Sequence, residues 1–252
     1  MNDLPLTGRV ALVTGVSRRA GIGYAAAARL AAAGATLFLH HHAPHDTTQP
    51  WGADPSGPEA IAAELGAGHL GLDLVDLGAP ERLIASVPGH VDILVCNHAR
   101  SGGDGPLGEL DAAMLDAHWA VNTRSTLLLV QAFAAQHDGR AGGRVVLMTS
   151  GQDLGPMTGE IAYAASKAAL SGITRTLADA LADRGITVNA VNPGPVDTGW
   201  ASAELLERVR PAFPAGRWGR PDDAARLIGW LVSGDAEWVT GQVINSEGGF
   251  RR

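Results

Sequence analysis

The 252-residue chain is 46% apolar and 18% charged, and its 19 basic and 26 acidic side chains give a net charge of −7. At this length one large α/β domain is expected, able to bury roughly 70–75% of its unfolded surface without help from a disulfide or a metal. The acidic balance argues against a nucleic-acid partner, since such binders carry basic patches. The single cysteine, Cys96, forbids an internal disulfide and fits a reducing compartment. Residues 1–5 show no leader-like basic or apolar region, and apolar runs such as 25–33 fall short of a membrane span. The expectation is a soluble, cytoplasmic protein.

Along the chain, β-branched apolar runs alternate with Ala/Leu-rich stretches, the pattern of βαβ units. A first strand is expected at 10–14 and a helix at 23–33. Between them runs Thr14-Gly15-Val16-Ser17-Arg18-Arg19-Ala20-Gly21-Ile22-Gly23. Glycines in such a turn let the backbone approach a pyrophosphate, and the helix N-terminus offers oriented N–H groups and partial positive charge. After a strand at 35–40, residues 41–58 contain four prolines and little periodicity, and they read as a long loop. A helix at 57–65, strand at 69–72, helix at 79–86 and strand at 91–96 follow. Next come one long helix at 111–137, a strand at 144–149, a helix at 162–184 and a strand at 187–191. Residues 199–219 form a second long connection, with apolar periodicity around Leu205, Leu206 and Val209, before a helix at 221–233 and a strand at 243–245. Asp222 and Asp223 suit the positive N-terminal end of that last helix. The central strands are nearly continuous apolar runs, as strands covered on both faces should be. The sum is a single doubly wound, Rossmann-type α/β domain over 1–252, with seven parallel strands and right-handed crossovers. The connections 41–58 and 199–219 should open at the carboxyl edge of the sheet, where such folds bind ligands.

Of the 19 basic residues, 18 are arginine and one is Lys167; the two tyrosines are Tyr24 and Tyr163. A chain that otherwise uses arginine and places its lone lysine four residues after a tyrosine points to a site that needs an ammonium. Residues at i and i+4 share a helix face, so Tyr163 and Lys167 should point into one cleft.

With these motifs in order, residues 6–249 resemble the short-chain dehydrogenase/reductase family. The family's TG-x3-G-x-G is present with two extra residues, as TG-x5-G-x-G. Asp73 in Gly71-Leu72-Asp73-Leu74 matches an adenine-contacting aspartate. Cys96-Asn97-His98-Ala99 stands where the family has NNAG, so Asn97 carries over. Asn122 in Val121-Asn122-Thr123 matches an asparagine that holds a water in a proton relay. Ser150, Tyr163 and Lys167 match the Ser and YxxxK set, with twelve residues between Ser150 and Tyr163. Pro193-Gly194 with Thr198 resembles the segment that meets the nicotinamide. Residues 216–223 and 240–249 resemble the carboxy-terminal signatures. The resemblance implies cofactor contacts from Gly15, Ser17, Arg18, Arg19, Gly21, Ile22 and Gly23 in the glycine loop, and from His40 after the second strand. It extends them to Asp73, Leu74, Asn97, Tyr163, Lys167, Pro193, Gly194, Val196 and Thr198. Lys167 would reach the nicotinamide ribose, and the helices 111–137 and 162–184 would form a homotetramer contact, with Phe250 a candidate for a second interface.

The chemistry of these residues agrees with the resemblance. A phenol titrates near 10, too high for a base at neutral pH. A neighbouring ammonium and an oxidised nicotinamide would favour the phenolate. Tyr163 could then exchange a proton with a carbonyl or alcohol oxygen while the cofactor exchanges a hydride with its carbon. Ser150 could hydrogen-bond that oxygen where charge develops. The expected activity is therefore hydride transfer between NADP(H) and a small carbonyl/secondary-alcohol pair, as in 3-oxoacyl-carrier reductases and secondary-alcohol dehydrogenases. The alternatives are a C=C reductase, whose tyrosine would fall at Glu160, and a catalytically silent cofactor-sensing protein, which would be expected to lose Ser150, Tyr163 or Lys167. NADP(H) is expected over NAD(H) because no acid follows the second strand until Asp46, and because Arg18 and Arg19 could pair with a 2′-phosphate. His40, His41, His42 and His45 crowd six positions, but no cysteine or carboxylate completes a tetrahedral set, so no metal is expected. Cys96 reads as an inert core thiol. His98 is either functional or packed, and Trp51, Trp200 and Phe213 either line a substrate mouth or anchor loops.

Overall fold

The computed structural model describes residues 4–252, so Met1, Asn2 and Asp3 of the stretch read for a leader lie outside it. The strands are β1 (Val10–Val13), β2 (Thr36–His41), β3 (Gly68–Gly71), β4 (Ile93–Cys96), β5 (Gly143–Met148), β6 (Ile186–Asn192) and β7 (Val243–Asn245). All pair in parallel, in the order β3-β2-β1-β4-β5-β6-β7. The expected doubly wound α/β sheet is therefore present. Its order reverses between β1 and β4, and the crevice outside their carboxyl ends is where such sheets bind ligands.

Alternation along the strands divides the core between two faces. Leu12, Leu94, Val145 and Val188 face one way, against Leu83 of α4 (Ala79–Ser86), Phe133 of α6 (Ser125–Gln136) and Leu181 of α7 (Ile161–Ala182). Val13, Ile93, Val95 and Val146 face the other way, against Leu30 of α1 (Ile22–Ala32), Ile61 of α3 (Gly57–Glu64) and Ile228 of α9 (Pro221–Leu231). Burying each such side chain stabilises the fold by about 1.5–3 kcal/mol.

Three segments depart from expectation. Residues 41–58 are not one structureless loop: His41 extends β2, and a short helix α2 (Ala43–Thr47) follows, with Pro44 in its first turn where a missing N–H costs nothing. Residues 199–219 contain α8 (Ala203–Val209), whose Ser202 cap accepts the Leu205 N–H at 3.2 Å. The expected single helix over 111–137 is broken into α5 (Ala112–His118), a π-helical stretch Trp119–Arg124, and α6. Apolar spacing does not register such a widened turn, yet π segments recur at functional sites, and this one carries Asn122. Among the described residues, no helix is long and apolar enough to cross a membrane.

Candidate active site

The glycine loop is built by close approach. Gly15 takes φ +72°, and a Cβ there would meet the His98 Cα at 2.7 Å; a Cβ on Gly23 would meet the Gly15 carbonyl oxygen at 2.6 Å. Only glycine serves at either place. Asn97 Nδ2 donates to the carbonyls of Thr14 (3.0 Å) and Gly15 (3.1 Å), tying the ends of β1 and β4 together. Helix α1 starts at Gly21 with no side-chain cap, which leaves first-turn N–H groups available to an anion.

A cavity of about 930 Å³ opens at this edge. Gly15, Ser17, Arg18, Gly21 and Ile22 line it from the glycine loop, and His40, Asp73, Leu74 and Asn97 from the ends of β2, β3 and β4. At the far end stand Ser150, Tyr163, Pro193, Gly194, Val196 and Thr198. Arg19, Gly23, Asn122 and Lys167 are not on its wall.

The two arginines of the lengthened loop are turned to internal partners, which corrects the expectation of two free phosphate-reading guanidinium groups. Arg19 pairs with Asp54 (2.7 Å) and Glu64 (2.8 Å), away from the cavity. Arg18 crosses the cleft: its Nε pairs with Asp46 at 3.2 Å, its Nη2 donates to Thr198 O at 3.1 Å, and its guanidinium lies over Trp51. The extra loop residues thus pin the 43–58 segment to the glycine loop. Nothing in the local sequence names Asp46, Asp54 and Glu64 as partners.

Tyr163 sits in the first turn of α7, and Ser150 stands beyond the carboxyl end of β5 on the same cavity wall. Lys167 lies one turn further on, 2% exposed, with Nζ donating to Met148 O at 2.8 Å and 5.8 Å from the Tyr163 ring centre. It therefore underlies Tyr163 rather than sharing the cavity wall. Burial pushes the Tyr163 phenol up to about 12 although the nearby Ser150 hydroxyl opposes the rise, and burial pulls the Lys167 ammonium down to about 8. The expected lowering of the phenol by Lys167 is not found: burial raises it, Ser150 is the group that lowers it, and the Glu160 carboxylate raises it further.

Asn122 does not reach the cavity. Its Oδ1 accepts the Arg100 N–H at 2.6 Å, and its Nδ2 donates to Arg100 O (3.1 Å) and Ser166 Oγ (2.9 Å). Ser166 in turn donates to Tyr163 O at 2.7 Å. The side chain is a clamp between the β4 loop and α7, with no free donor for a relay water.

His40 and His98 are held by internal hydrogen bonds. His40 Nε2 donates to Leu72 O (3.0 Å) and its Nδ1 accepts the Gly15 N–H (3.3 Å); burial lowers it to about 4, so it is neutral. His98 bridges Thr14 Oγ1 (2.7 Å) and Ser125 Oγ (2.8 Å), and burial holds it well below the ordinary histidine range. His41 meets His69 at 3.2 Å, and no group of three or more metal-ligating side chains gathers among the described residues. Cys96 is buried and free, its thiol pushed up to about 12 by burial. The cavity mouth is aromatic, with Trp200, Trp218 and Phe250 on its wall and Trp51 nearer the glycine loop, while Phe213 is buried behind them. Phe250, expected at a second interface, packs on Phe213 at 4.8 Å within its own chain and stays partly exposed. Sequence reasoning missed Glu160, Arg100 and the Glu247–Arg252 pair, all at this cavity. Isolated charged residues give no local signal of that placement.

Comparison with known proteins agrees with this geometry. A family model described as enoyl-(acyl carrier protein) reductase matches residues 15–251. The uncharacterized oxidoreductase YjdA of Bacillus subtilis is 44% identical over 97% of this chain and 97% of its own. A cyclohexanol dehydrogenase of a Rhodococcus species is 34% identical over 99% of this chain and 98% of its own. The crystal structure of BdcA in complex with NADPH superposes with a TM-score of 0.85, at 31% identity over 98% of this chain and 96% of that one. With a parallel sheet of this order and a glycine loop over a cavity holding tyrosine and serine, the chain belongs to the short-chain dehydrogenase/reductase family and is an NAD(P)-dependent oxidoreductase.

Proposed function

We propose that the protein transfers a hydride between NADP(H) and a carbonyl/secondary-alcohol pair, with Tyr163 as the proton donor and acceptor. The observation that carries this reading is the Tyr163 phenol beside Ser150 in the cavity, with the buried Lys167 ammonium beneath it. The residues present fit a dinucleotide: Gly15, Ser17 and Gly21 of the loop line the cavity, and the uncapped start of α1 can receive a pyrophosphate. Gly15, Ser17, Gly21 and Ile22 would hold the phosphates, Asp73 and Leu74 the adenine end, and Asn97, Pro193, Gly194, Val196 and Thr198 the nicotinamide end.

When bound, the cofactor supplies or accepts the hydride at the substrate carbon. Ser150 donates to the substrate oxygen and orients it toward Tyr163. Tyr163 gives that oxygen its proton, and Lys167 opposes the negative charge left on the phenol. Carbonyl chemistry is favoured over C=C reduction because the tyrosine stands four residues before Lys167, whereas the position seven before it is Glu160. The aromatic mouth accepts an apolar substrate.

NADP(H) is favoured because the end of β2 carries His40, His41 and His42, and the first carboxylate after it, Asp46, is engaged by Arg18 and by Trp51 Nε1 (3.2 Å). His42 and Ser17 stand at that end, with the His42 N–H facing Ser17 Oγ at 3.4 Å. A cytoplasmic location belongs to the same reading, supported by the lone reduced thiol. So does a homotetramer, for which Leu115 and Trp119 offer exposed apolar area beside α7. Titration should give tighter binding of NADPH than of NADH, and turnover should be found with apolar ketones rather than enoyl thioesters. Tighter NADH binding contradicts the cofactor reading, and turnover of enoyl thioesters alone contradicts the carbonyl reading. Light scattering at micromolar concentration should exceed the 25.9 kDa of one chain fourfold.

A further inference from the structure

Helix α7 carries Tyr163 in its first turn, yet its cap residue Glu160 makes no side-chain capping bond. The first four N–H groups of a helix have no partner within it. Here they are satisfied from outside: Glu160 N donates to Met157 O (3.1 Å) and Ile161 N to Gly105 O (3.4 Å). Ala162 N donates to Asp104 Oδ1 (3.0 Å) and Tyr163 N to Asp104 Oδ2 (2.7 Å). A carboxylate 59 residues away in the chain therefore does what a local cap would do. Its side chain is 4% exposed, and the buried His118 stands behind it, with Nε2 4.0 Å from Asp104 Oδ2 and its ring edge-on to Tyr163.

We propose that Asp104 is a positioning residue of the reaction: its carboxylate fixes the backbone at Tyr163 and so sets where the phenol stands relative to Ser150. The inference rests on Tyr163 being the proton donor. Two ties run from the β4 loop to this one residue. Asp104 holds the Tyr163 N–H, while Arg100, Asn122 and Ser166 form a chain that ends on the Tyr163 carbonyl. The same loop begins at Asn97, which is bonded to the glycine loop, so the phenol is referenced to the cofactor floor through protein hydrogen bonds. Burial pushes the Asp104 carboxyl up, and the N–H groups of Tyr163, Ala162 and Gly105 outweigh it and hold the group ionised. First turns open most readily, and a misplacement of about 1 Å at a reacting group can cost 10²-fold in rate. A cap lost here moves the reacting phenol; a cap lost elsewhere does not.

The test compares Asp104→Ala with Asp111→Ala, which removes an ordinary cap from α5, where Asp111 Oδ1 accepts the Met114 N–H at 2.8 Å. Asp104→Ala should lower kcat with NADPH and a ketone about tenfold or more, with the ketone KM and the NADPH dissociation constant within about twofold. Asp104→Asn, which presents one acceptor oxygen instead of two, should recover part of the loss. Asp111→Ala should keep kcat while lowering Tm. Amide hydrogen exchange at Ala162 and Tyr163 should rise in Asp104→Ala alone. An unchanged kcat in Asp104→Ala, or an equal loss in Asp111→Ala, overturns the proposal. If Asp104→Ala does not fold, Asp104→Asn carries the test, and wild-type exchange and kcat in it overturn the proposal. A wild type that reduces no ketone contradicts the proposed function instead, and the exchange measurement then decides this inference by itself.

Discussion

At the amino edge of the sheet, Asp92 and Arg9 compensate one another, while Arg144 at the start of β5 is buried with only the Gly143 carbonyl as acceptor and no carboxylate within ion-pair distance among the described residues. Asp92, just ahead of β4, accepts the Val10 N–H at 2.9 Å and stands 3.5 Å from Arg9, whose other nitrogen donates to Gly142 O at 2.6 Å. Arg184 donates to the carbonyls of Ala134 and His137 at the same edge. At the carboxyl edge, Lys167 is more deeply buried than Arg9, and among the described residues no carboxylate stands within ion-pair distance of it. Keeping an ammonium inside without a counter-charge works against folding. What separates the two edges is therefore not the missing counter-charge, which Arg144 shares, but position: Lys167 lies beneath the Tyr163 ring at a cavity, where a buried charge can act on a reacting group, and Arg144 does not line that cavity.

The sharpest way to break that comparison is Tyr163→Phe. It removes the proton donor and leaves the cavity shape, so kcat should fall at least about 10²-fold while NADPH binding persists. Near-normal turnover with an intact fold would remove Tyr163 from the reaction. Lys167→Arg should cost about tenfold, about 1.4 kcal/mol of barrier, because a planar guanidinium fits poorly where a compact ammonium lies under the phenol. Steady-state kinetics beside a thermal melt distinguishes this from unfolding. Asp92→Ala should show the opposite pattern. Leaving the Val10 N–H without its acceptor should cost about 1–3 kcal/mol of stability and lower Tm by several degrees, with kcat unchanged. A loss of kcat there without a loss of stability would join the two edges functionally.

What could be read in the sequence was local. The glycine spacing, the Tyr163–Lys167 turn and the run of apolar strands each depend on residues a few positions apart, and the structure places the strands as expected. What could not be read depends on distant partners. Arg18 and Arg19 look like phosphate readers until Asp46, Asp54 and Glu64 come beside them. Asp104, a lone acid among glycines, becomes a cap only because the β4 loop lies against α7. Asn122 sits in a widened turn that apolar periodicity does not register, and its side chain faces Arg100 and Ser166 instead of the cavity. Phe250 near the carboxy terminus packs on Phe213, a contact 37 positions away that no local pattern announces.

The most direct test of the Tyr163–Lys167 pair is the pH profile of ketone reduction in wild type and Lys167→Arg. With Tyr163 pushed up to about 12, the donor stays protonated through pH 6–10, and the neighbouring Cys96 and His98 stay neutral there. Lys167, pulled down to about 8, loses its proton within that range, and with it the positive charge that opposes the developing phenolate. Wild-type kcat/KM should therefore fall as pH rises through about 8, while Lys167→Arg, whose guanidinium remains charged, should be slower but flat across the range. Full activity in Lys167→Arg, or the same alkaline fall in both proteins, would contradict the account.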